Sequence, residues 1–107
     1  MIVGAGDAGE MALRWISMNP HLKYRPLGIV DPDPLLAGRH IHGIEVLGGL
    51  ERLSAILERT QAVGVIVAGI DGDALWLTQL VQVCQEHSCW LRRLRLEFEM
   101  VDFSDLS

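Results

Sequence analysis

The chain has 107 residues, the size of a single domain, and carries a net charge of −5. Half of the residues are apolar and 21% are charged, a composition that excludes an intrinsically disordered chain. The acidic balance argues against a nucleic-acid-binding groove, and no apolar run reaches the ~18 residues of a membrane-spanning helix. Two cysteines do not make a disulfide framework. We therefore expect one soluble, cytoplasmic domain over residues 1–107.

The first third of the chain alternates short apolar runs with a helical stretch, as in a parallel sheet covered by helices. Ile2–Val3 is typical of the end of a first strand. The helical period of residues 7–18 predicts an amphipathic helix that Asn19-Pro20 ends. Residues 27–31 predict a second strand that runs into turn residues. The helix face that we expect to be buried carries Ala8, Met11, Ala12, Trp15 and Ile16.

The remainder of the chain continues the same alternation. Residues 32–43 carry no long helical pattern, and we expect one short turn followed by a tight hairpin around His42-Gly43. The further predicted elements are a third strand at 44–47, a helix at 49–60, a fourth strand at 63–70, a helix at 74–87 and an extended fifth segment at 90–101. The fourth strand is continuously apolar, which favours a position covered on both faces.

A glycine-rich loop follows the first strand and opens the first helix. It has the Gly-x-Gly-x-x-Gly pattern, in which the first glycine permits a tight turn and the second lets a pyrophosphate approach the backbone. The third glycine lets the helix pack close to the sheet. Backbone amides at the positive end of the helix then hold the phosphates without a lysine. The alternative is a tight strand-to-helix turn that binds no ligand. The loop reads Gly4-Ala5-Gly6-Asp7-Ala8-Gly9.

An acidic residue, Asp31, ends the second strand about 20 residues beyond the loop, where dinucleotide-binding domains place the group that binds the ribose hydroxyls. Asp7 has a charge that opposes a pyrophosphate, and helix capping is the role we favour for it. Ala68 and Gly69 belong to the end of the fourth strand, at the same predicted edge. The candidate cofactor-binding residues are therefore Gly4, Ala5, Gly6, Asp7, Ala8, Gly9, Asp31, Ala68 and Gly69.

No catalytic or metal-binding set accompanies this loop. Cys84, His87 and Cys89 form a Cys-x-x-His-x-Cys pattern, but structural zinc requires four ligands, and a core cysteine beside a helix-end histidine is the favoured interpretation. Asp71 and Asp73 follow the fourth strand at the ligand-binding edge. Either is a candidate general base, although helix capping is the interpretation that we favour. The sequence thus predicts a binding site without a catalytic residue and without a metal.

Four segments of the chain carry a resemblance when they are taken together. The segments are Gly4-Ala5-Gly6-Asp7-Ala8-Gly9-Glu10, Asn19-Pro20, Tyr24-Arg25-Pro26-Leu27-Gly28-Ile29-Val30-Asp31 and Gly38-Arg39-His40-Ile41-His42-Gly43-Ile44-Glu45-Val46-Leu47-Gly48. They resemble a nucleotide-binding Rossmann domain of bacterial polysaccharide-biosynthesis proteins, the "CoA-binding"-type domain that precedes the catalytic domain of membrane-bound sugar-nucleotide epimerase/dehydratases. A similar domain stands at the C-terminus of polyprenyl-phosphate sugar-1-phosphate transferases, which the ending at residues 91–99 resembles most.

The resemblance implies that the three loop glycines contact the phosphates of a dinucleotide and that Asp31 contacts the adenosine ribose. It favours NAD(H) as the ligand, with coenzyme A or a UDP-sugar as alternatives. It also implies a parent protein at the cytoplasmic face of the inner membrane. The chain departs from the family's pattern at Pro32, where a second aspartate is usual, and at Glu45, where a proline is common.

These observations predict an α/β Rossmann-like three-layer sandwich with a parallel sheet of strand order 3-2-1-4-5 and a half-exposed edge strand. The expected function is a nucleotide-binding module that is not catalytic alone. Half of an NAD-dependent sugar-nucleotide dehydrogenase and a UDP-sugar-binding domain serving a transferase are the alternatives. We expect the domain to come from a larger protein. Its C-terminal edge strand or tail, at about residues 96–107, is predicted to pair with a second copy or with parent domains.

Overall fold

The computed structural model describes residues 1–69, 74–95 and 101–102, and for residues 74–76 the backbone alone. Three helices lie in this part of the chain: α1 (Asp7–Met18), α2 (Leu53–Thr60) and α3 (Ala74–Glu86). Short 3-10 turns cover Pro20–Leu22, Pro34–Leu36 and Leu50–Arg52. The strands are β1 (Ile2–Val3), β2 (Ile29–Val30), β3 (His40–Ile41), β4 (Ile44–Gly48), β5 (Gly64–Ala68) and β6 (Trp90–Leu94).

The six strands form one sheet in the spatial order β3-β4-β2-β1-β5-β6. Parallel pairing joins β4 to β2, β2 to β1, β1 to β5 and β5 to β6. These five strands have the predicted 3-2-1-4-5 order, which confirms the Rossmann-like fold. β3 pairs antiparallel with β4 through the predicted hairpin, where His42 and Gly43 both have positive φ, at 49° and 77°. Positive φ at both central residues is the signature of the type I′ turn that matches strand twist.

Alternation of side chains along the strands divides the core between the two faces of the sheet. Ile2 packs with α1 residues on one face, while Val3 packs with α2 and α3 residues on the other. β5 is buried along its whole length, as its continuous apolar run predicts. The sheet is therefore the middle of three layers, with β2 and β1 at its centre.

The prediction for the buried face of α1 is partly wrong. Met11 and Trp15 were expected inside, but they are 49% and 46% exposed. The buried residues of the helix are Gly9, Ala12, Leu13 and Ile16. Gly9 must face the glycine loop, and at about 100° per residue this rotation directs Met11 and Trp15 away from the sheet. Close backbone contact, rather than apolar area, fixes the orientation of this helix.

Several boundaries differ from the predicted ones. The strands predicted at 27–31 and 63–70 begin two residues and one residue later, at β2 and β5. The helix predicted at 49–60 starts with a 3-10 turn, and the one predicted at 74–87 ends at Glu86. β6 is a half-exposed edge strand, as predicted, whereas residues 96–100 and 103–107 lie outside the described residues. No helix in the described part of the chain is long and apolar enough to cross a membrane.

Candidate functional site

The candidate site lies at the carboxyl edge of the sheet, where the chain leaves β1 and β5 in different directions. From β1 the chain passes through α1 to β2 on one side, while β5 pairs on the other side. In open parallel sheets this switch in strand order opens a crevice, and ligands bind there. The glycine loop of residues 4–9 spans the crevice from the end of β1 to the start of α1.

Two of the three loop glycines are required by the fold itself, and the third is not. Gly4 has a φ of 114°, and its amide donates to the Val30 carbonyl at 2.8 Å. At Gly9 a Cβ would lie 1.9 Å from the Gly4 carbonyl oxygen, so only glycine permits this contact. Gly6 has an extended backbone, with φ of −80°, and a Cβ there would meet no atom within 4 Å. The fold requires Gly4 and Gly9 but places no such requirement on Gly6.

The start of α1 offers free backbone donors beside that open space. Gly6 is the N-cap residue, and no side chain caps the helix. The Glu10 amide donates to the Gly6 carbonyl at 3.0 Å, so the three preceding amides have no acceptor within the helix. Asp7 lies at the first helical position, and the expectation that it caps the helix is therefore wrong. Its carboxylate acts only as a charge in the first turn, where acids favour the helix dipole.

Asp31 ties the glycine loop to the end of β2. Its Oδ2 accepts a hydrogen bond from the Ala5 amide at 2.7 Å, and its Oδ1 accepts one from the Asp33 amide at 2.8 Å. The residue is only 9% exposed. A carboxylate has about four lone-pair positions, so these two bonds leave acceptor capacity for hydroxyl groups. The predicted acid is at the predicted edge, and it has a structural role that spacing alone did not reveal.

The end of β5 closes the other side of the crevice. Ala68 is buried, and Gly69 follows it with a φ of 65°. A Cβ at Gly69 would lie 2.3 Å from the Cβ of Ala8, so the two segments touch. The nine residues predicted from the sequence therefore meet at one edge of the sheet. The contacts that join them are Ala5 with Asp31, Gly9 with Gly4, and Gly69 with Ala8.

A cavity beside Asp31 was missed from the sequence. It has a volume of about 490 Å³ and lies at the carboxyl ends of β2 and β4. Two segments that are distant in the sequence form this cavity, residues 32–37 and residues 47–52. The sequence pattern of the second segment predicts only the start of an amphipathic helix. The Gly48-Gly49 pair directly after the third strand is the signal that could have revealed it. The lining residues are Pro32, Pro34, Ala37, Leu47, Gly48, Gly49, Glu51 and Arg52.

The other candidate residues do not gather into a site. His87 and Cys89 have separate partners: the His87 ring contacts the Ser54 hydroxyl at 2.7 Å, and the Cys89 thiol contacts the Ala62 carbonyl at 3.2 Å. The described residues contain no group of three potential metal ligands. Burial raises the pKa of the Cys84 thiol to about 11, which keeps it protonated and weakly nucleophilic at neutral pH. The predicted acids at positions 71 and 73 lie outside the described residues.

Comparisons with known proteins extend only to the fold. No protein-family model and no curated protein matches the chain. A solved structure of RSP, a Rex-family repressor, matches with a TM-score of 0.71 and 20% identity over 94% of this chain and 47% of RSP. A second structure, RSP in complex with β-NADH, matches with a TM-score of 0.69 and 20% identity, over 94% of this chain and 48% of that one.

The chain thus spans about half the length of these structures. The likeness confirms a Rossmann-like fold. No comparison supports the polysaccharide-biosynthesis context that the sequence resemblance implied.

Proposed function

We propose that this domain is a dinucleotide-binding module, with NAD(H) as its ligand, and that it is not catalytic alone. Gly6 carries the proposal. A turn without a ligand would need Gly4 and Gly9, but it gives no reason for glycine at position 6 rather than an Asn, Asp or Ser whose side chain would fit the open space and cap the helix. A pyrophosphate supplies that reason, because it must approach the backbone there.

The remaining residues suit the rest of such a ligand. The pyrophosphate would lie over Gly6 and the first amides of α1, with the ribose hydroxyls toward Asp31. The adenine would occupy the cavity of about 490 Å³ next to Asp31, which is within the usual range of small-molecule sites. The nicotinamide would extend toward Gly69. That RSP, which shares this fold, has a structure with bound β-NADH supports the choice of NAD(H).

Coenzyme A and UDP-sugars also carry a nucleoside joined to a pyrophosphate, adenosine in the first and uridine in the second, and they are the alternative ligands. With NAD(H) or with either alternative, the domain would serve a larger protein, and the proposed parent is a glycosyltransferase or a sugar-nucleotide epimerase/dehydratase. This context rests on the sequence resemblance alone. Residues 4–9 and 31 would have the same role in each case.

The test compares ligand-induced thermal shifts and titration calorimetry for the parent domain and Gly6→Val. NADH should raise the melting temperature of the parent more than coenzyme A or UDP-glucose does. Gly6→Val should lose this response, because the side chain fills the space that the phosphates need. It should remain folded, since nothing lies within 4 Å of the added Cβ and the cost is that of a poorer N-cap, about 1 kcal/mol.

Met11→Ala, on the exposed face of the same helix, is the matched control and should bind NADH like the parent. Folded Gly6→Val that binds NADH with the parent's affinity would show that the loop is only a turn.

A further inference from the structure

A second cavity lies at the amino edge of the sheet, opposite the carboxyl edge that carries the glycine loop. Its volume is about 270 Å³. The residues that line it come from β1, from the segments that lead into β2 and β5, and from Trp90 at the start of β6. Its floor is apolar and consists of Ile2, Ile16 and Ile66, which belong to one cluster of the core. The cavity therefore reaches from the core to the surface, where Leu27 and Val63 line it in exposed positions.

Two aromatic side chains form one wall of this cavity. The rings of Tyr24 and Trp90 have their centroids 5.5 Å apart and are inclined at 38°. Gly64 pairs with Trp90 in the β5–β6 ladder and makes room for the indole, because a Cβ at this glycine would lie 1.9 Å from the indole ring. The Arg92 guanidinium lies 5.7 Å and 5.2 Å from the centroids of the Tyr24 and Trp90 rings and donates to the Tyr24 hydroxyl. These contacts hold both rings in place.

The charged side chains among the described residues that line the cavity are cationic, although the chain has a net charge of −5. They are Lys23, the only lysine in the sequence, and Arg25, and no described aspartate or glutamate lines the cavity. In the part of the chain that the structure describes, neither side chain takes part in an ion pair or a side-chain hydrogen bond. Both are exposed and are therefore available to an anion at the mouth of the cavity.

The backbone at two of the lining residues provides an independent observation. Lys23 and Gln61 have φ of 58° and 57°, in the left-handed region that is unfavourable for most side chains. Each residue follows a helical segment, where glycine is the usual choice for this conformation. Residues held in such conformations cluster at binding sites. The backbone therefore gives no reason for a lysine at position 23, whereas a role for its charge does.

We propose that this cavity binds a small aromatic carboxylate. The ring would pack against Tyr24 and Trp90 above the apolar floor, in the tilted or offset geometry that aromatic pairs prefer. The carboxylate would lie at the mouth and accept charge-assisted hydrogen bonds from Lys23 and Arg25. A volume of about 270 Å³ is just below the usual range for drug-sized ligands, so it suits a single ring with its acid group. The inference is independent of the proposed nucleotide site, which lies at the other edge of the sheet.

The test compares three probes: phenylacetate, its neutral counterpart phenylacetamide, and acetate, which has the charge without the ring. In ¹H–¹⁵N NMR titrations, phenylacetate should shift the Trp90 indole N–H and the Gly64 amide to saturation and should leave the Gly6 amide unchanged. Phenylacetate should bind about fivefold or more tightly than phenylacetamide, the factor that two exposed ion pairs give, and high salt should reduce this ratio. Acetate should not saturate either signal.

Variants at the mouth of the cavity test the role of its charge. Lys23→Gln and Arg25→Gln should each lower the ratio of phenylacetate to phenylacetamide affinity about twofold, and the double variant should bring it close to one. Arg59→Gln is the matched control, because it removes the same charge from an exposed position on α2 that does not line the cavity. It should leave the ratio unchanged. All of these side chains are exposed, so the variants should melt at the temperature of the parent.

Equal affinities of the parent domain for phenylacetate and phenylacetamide would overturn the proposal. A ratio that falls as much in Arg59→Gln as in Lys23→Gln would also overturn it, because the effect would then come from the net charge and not from the cavity. The same holds if millimolar phenylacetate gives no saturable shift at Trp90 and Gly64. None of these results depends on the glycine loop, which NADH and Gly6→Val test separately.

Discussion

Replacement of Asp31 by alanine should destabilise the free domain strongly, before any ligand is considered. The carboxylate accepts from the Ala5 and Asp33 amides at 2.7 and 2.8 Å, and the residue is buried. A hydrogen bond to a charged group contributes about 1.5–3 kcal/mol, and an amide left without a partner loses further free energy. Allowing for water that reaches these partly buried amides, we expect a loss of about 2–4 kcal/mol in the free energy of unfolding.

Urea denaturation followed by tryptophan fluorescence measures this change. Asp31→Asn keeps one acceptor but turns an NH₂ group toward the other amide, so it should lose about half as much. Asp33→Ala is the matched control. It removes one exposed hydrogen bond, from the Leu35 amide at 2.9 Å, and should cost about 0.5–1 kcal/mol. An Asp31→Ala variant as stable as Asp33→Ala would refute the structural role assigned to Asp31.

Three further predictions concern the ligand, the buried ammonium group and the sheet edge. NAD should bind at least about tenfold more tightly than NADP, a difference of about 1.4 kcal/mol in binding free energy, because Asp31 repels a 2′-phosphate. Equal affinities for NAD and NADP in titration calorimetry would contradict this prediction. The α-amino group of Met1 is buried, and this burial lowers its pKa in the folded chain from the ordinary value of 8.0. As the pH drops below 8.0, the unfolded chain therefore takes up a proton before the folded chain does. The free energy of unfolding should fall over this range and become constant once the pH is below the lowered pKa. Acetylation of Met1 should abolish this slope in thermal melts. Residues 94–103 should support a homodimer or higher oligomer through the β6 edge, and light scattering that shows a monomer at high micromolar concentration would refute it.

The strand order could be predicted from the sequence because it depends on patterns that are local. The continuous apolar run of β5 indicates a central strand, and the glycine loop joins β1 to a helix whose return places β2 beside it. The rotation of α1 could not be predicted in the same way. Apolar periodicity favours Met11 and Trp15 for the inner face of the helix. The contact of Gly9 with the Gly4 carbonyl instead turns Gly9 inward and leaves both of these side chains half exposed. Periodicity measures apolar area and does not register close backbone contacts.

Part of the candidate site could likewise be predicted from local patterns, and part of it could not. The glycine spacing and an acid after the second strand predicted which residues meet at the carboxyl edge. Spacing does not say which way a backbone amide points, so the bonds from Ala5 and Asp33 to Asp31 were not foreseen. The cavity formed with Gly48 and Arg52 was missed because it needs two segments that come together only in the fold.

The bonds of Asp31 also change how a loss of ligand affinity must be interpreted. Because the carboxylate holds the Ala5 amide and Gly69 packs on Ala8, the loop has its shape without a ligand, which lowers the ordering cost of binding. Asp31→Asn can therefore weaken binding in two ways. Loss of the loop's shape would lower the affinities for NAD, NADP and UDP-glucose by the same factor, since each of these ligands would place its pyrophosphate on the loop. Loss of a ribose contact would instead reduce the ratio of NAD to NADP affinity. We expect both effects, with the change in ratio identifying the part that belongs to recognition.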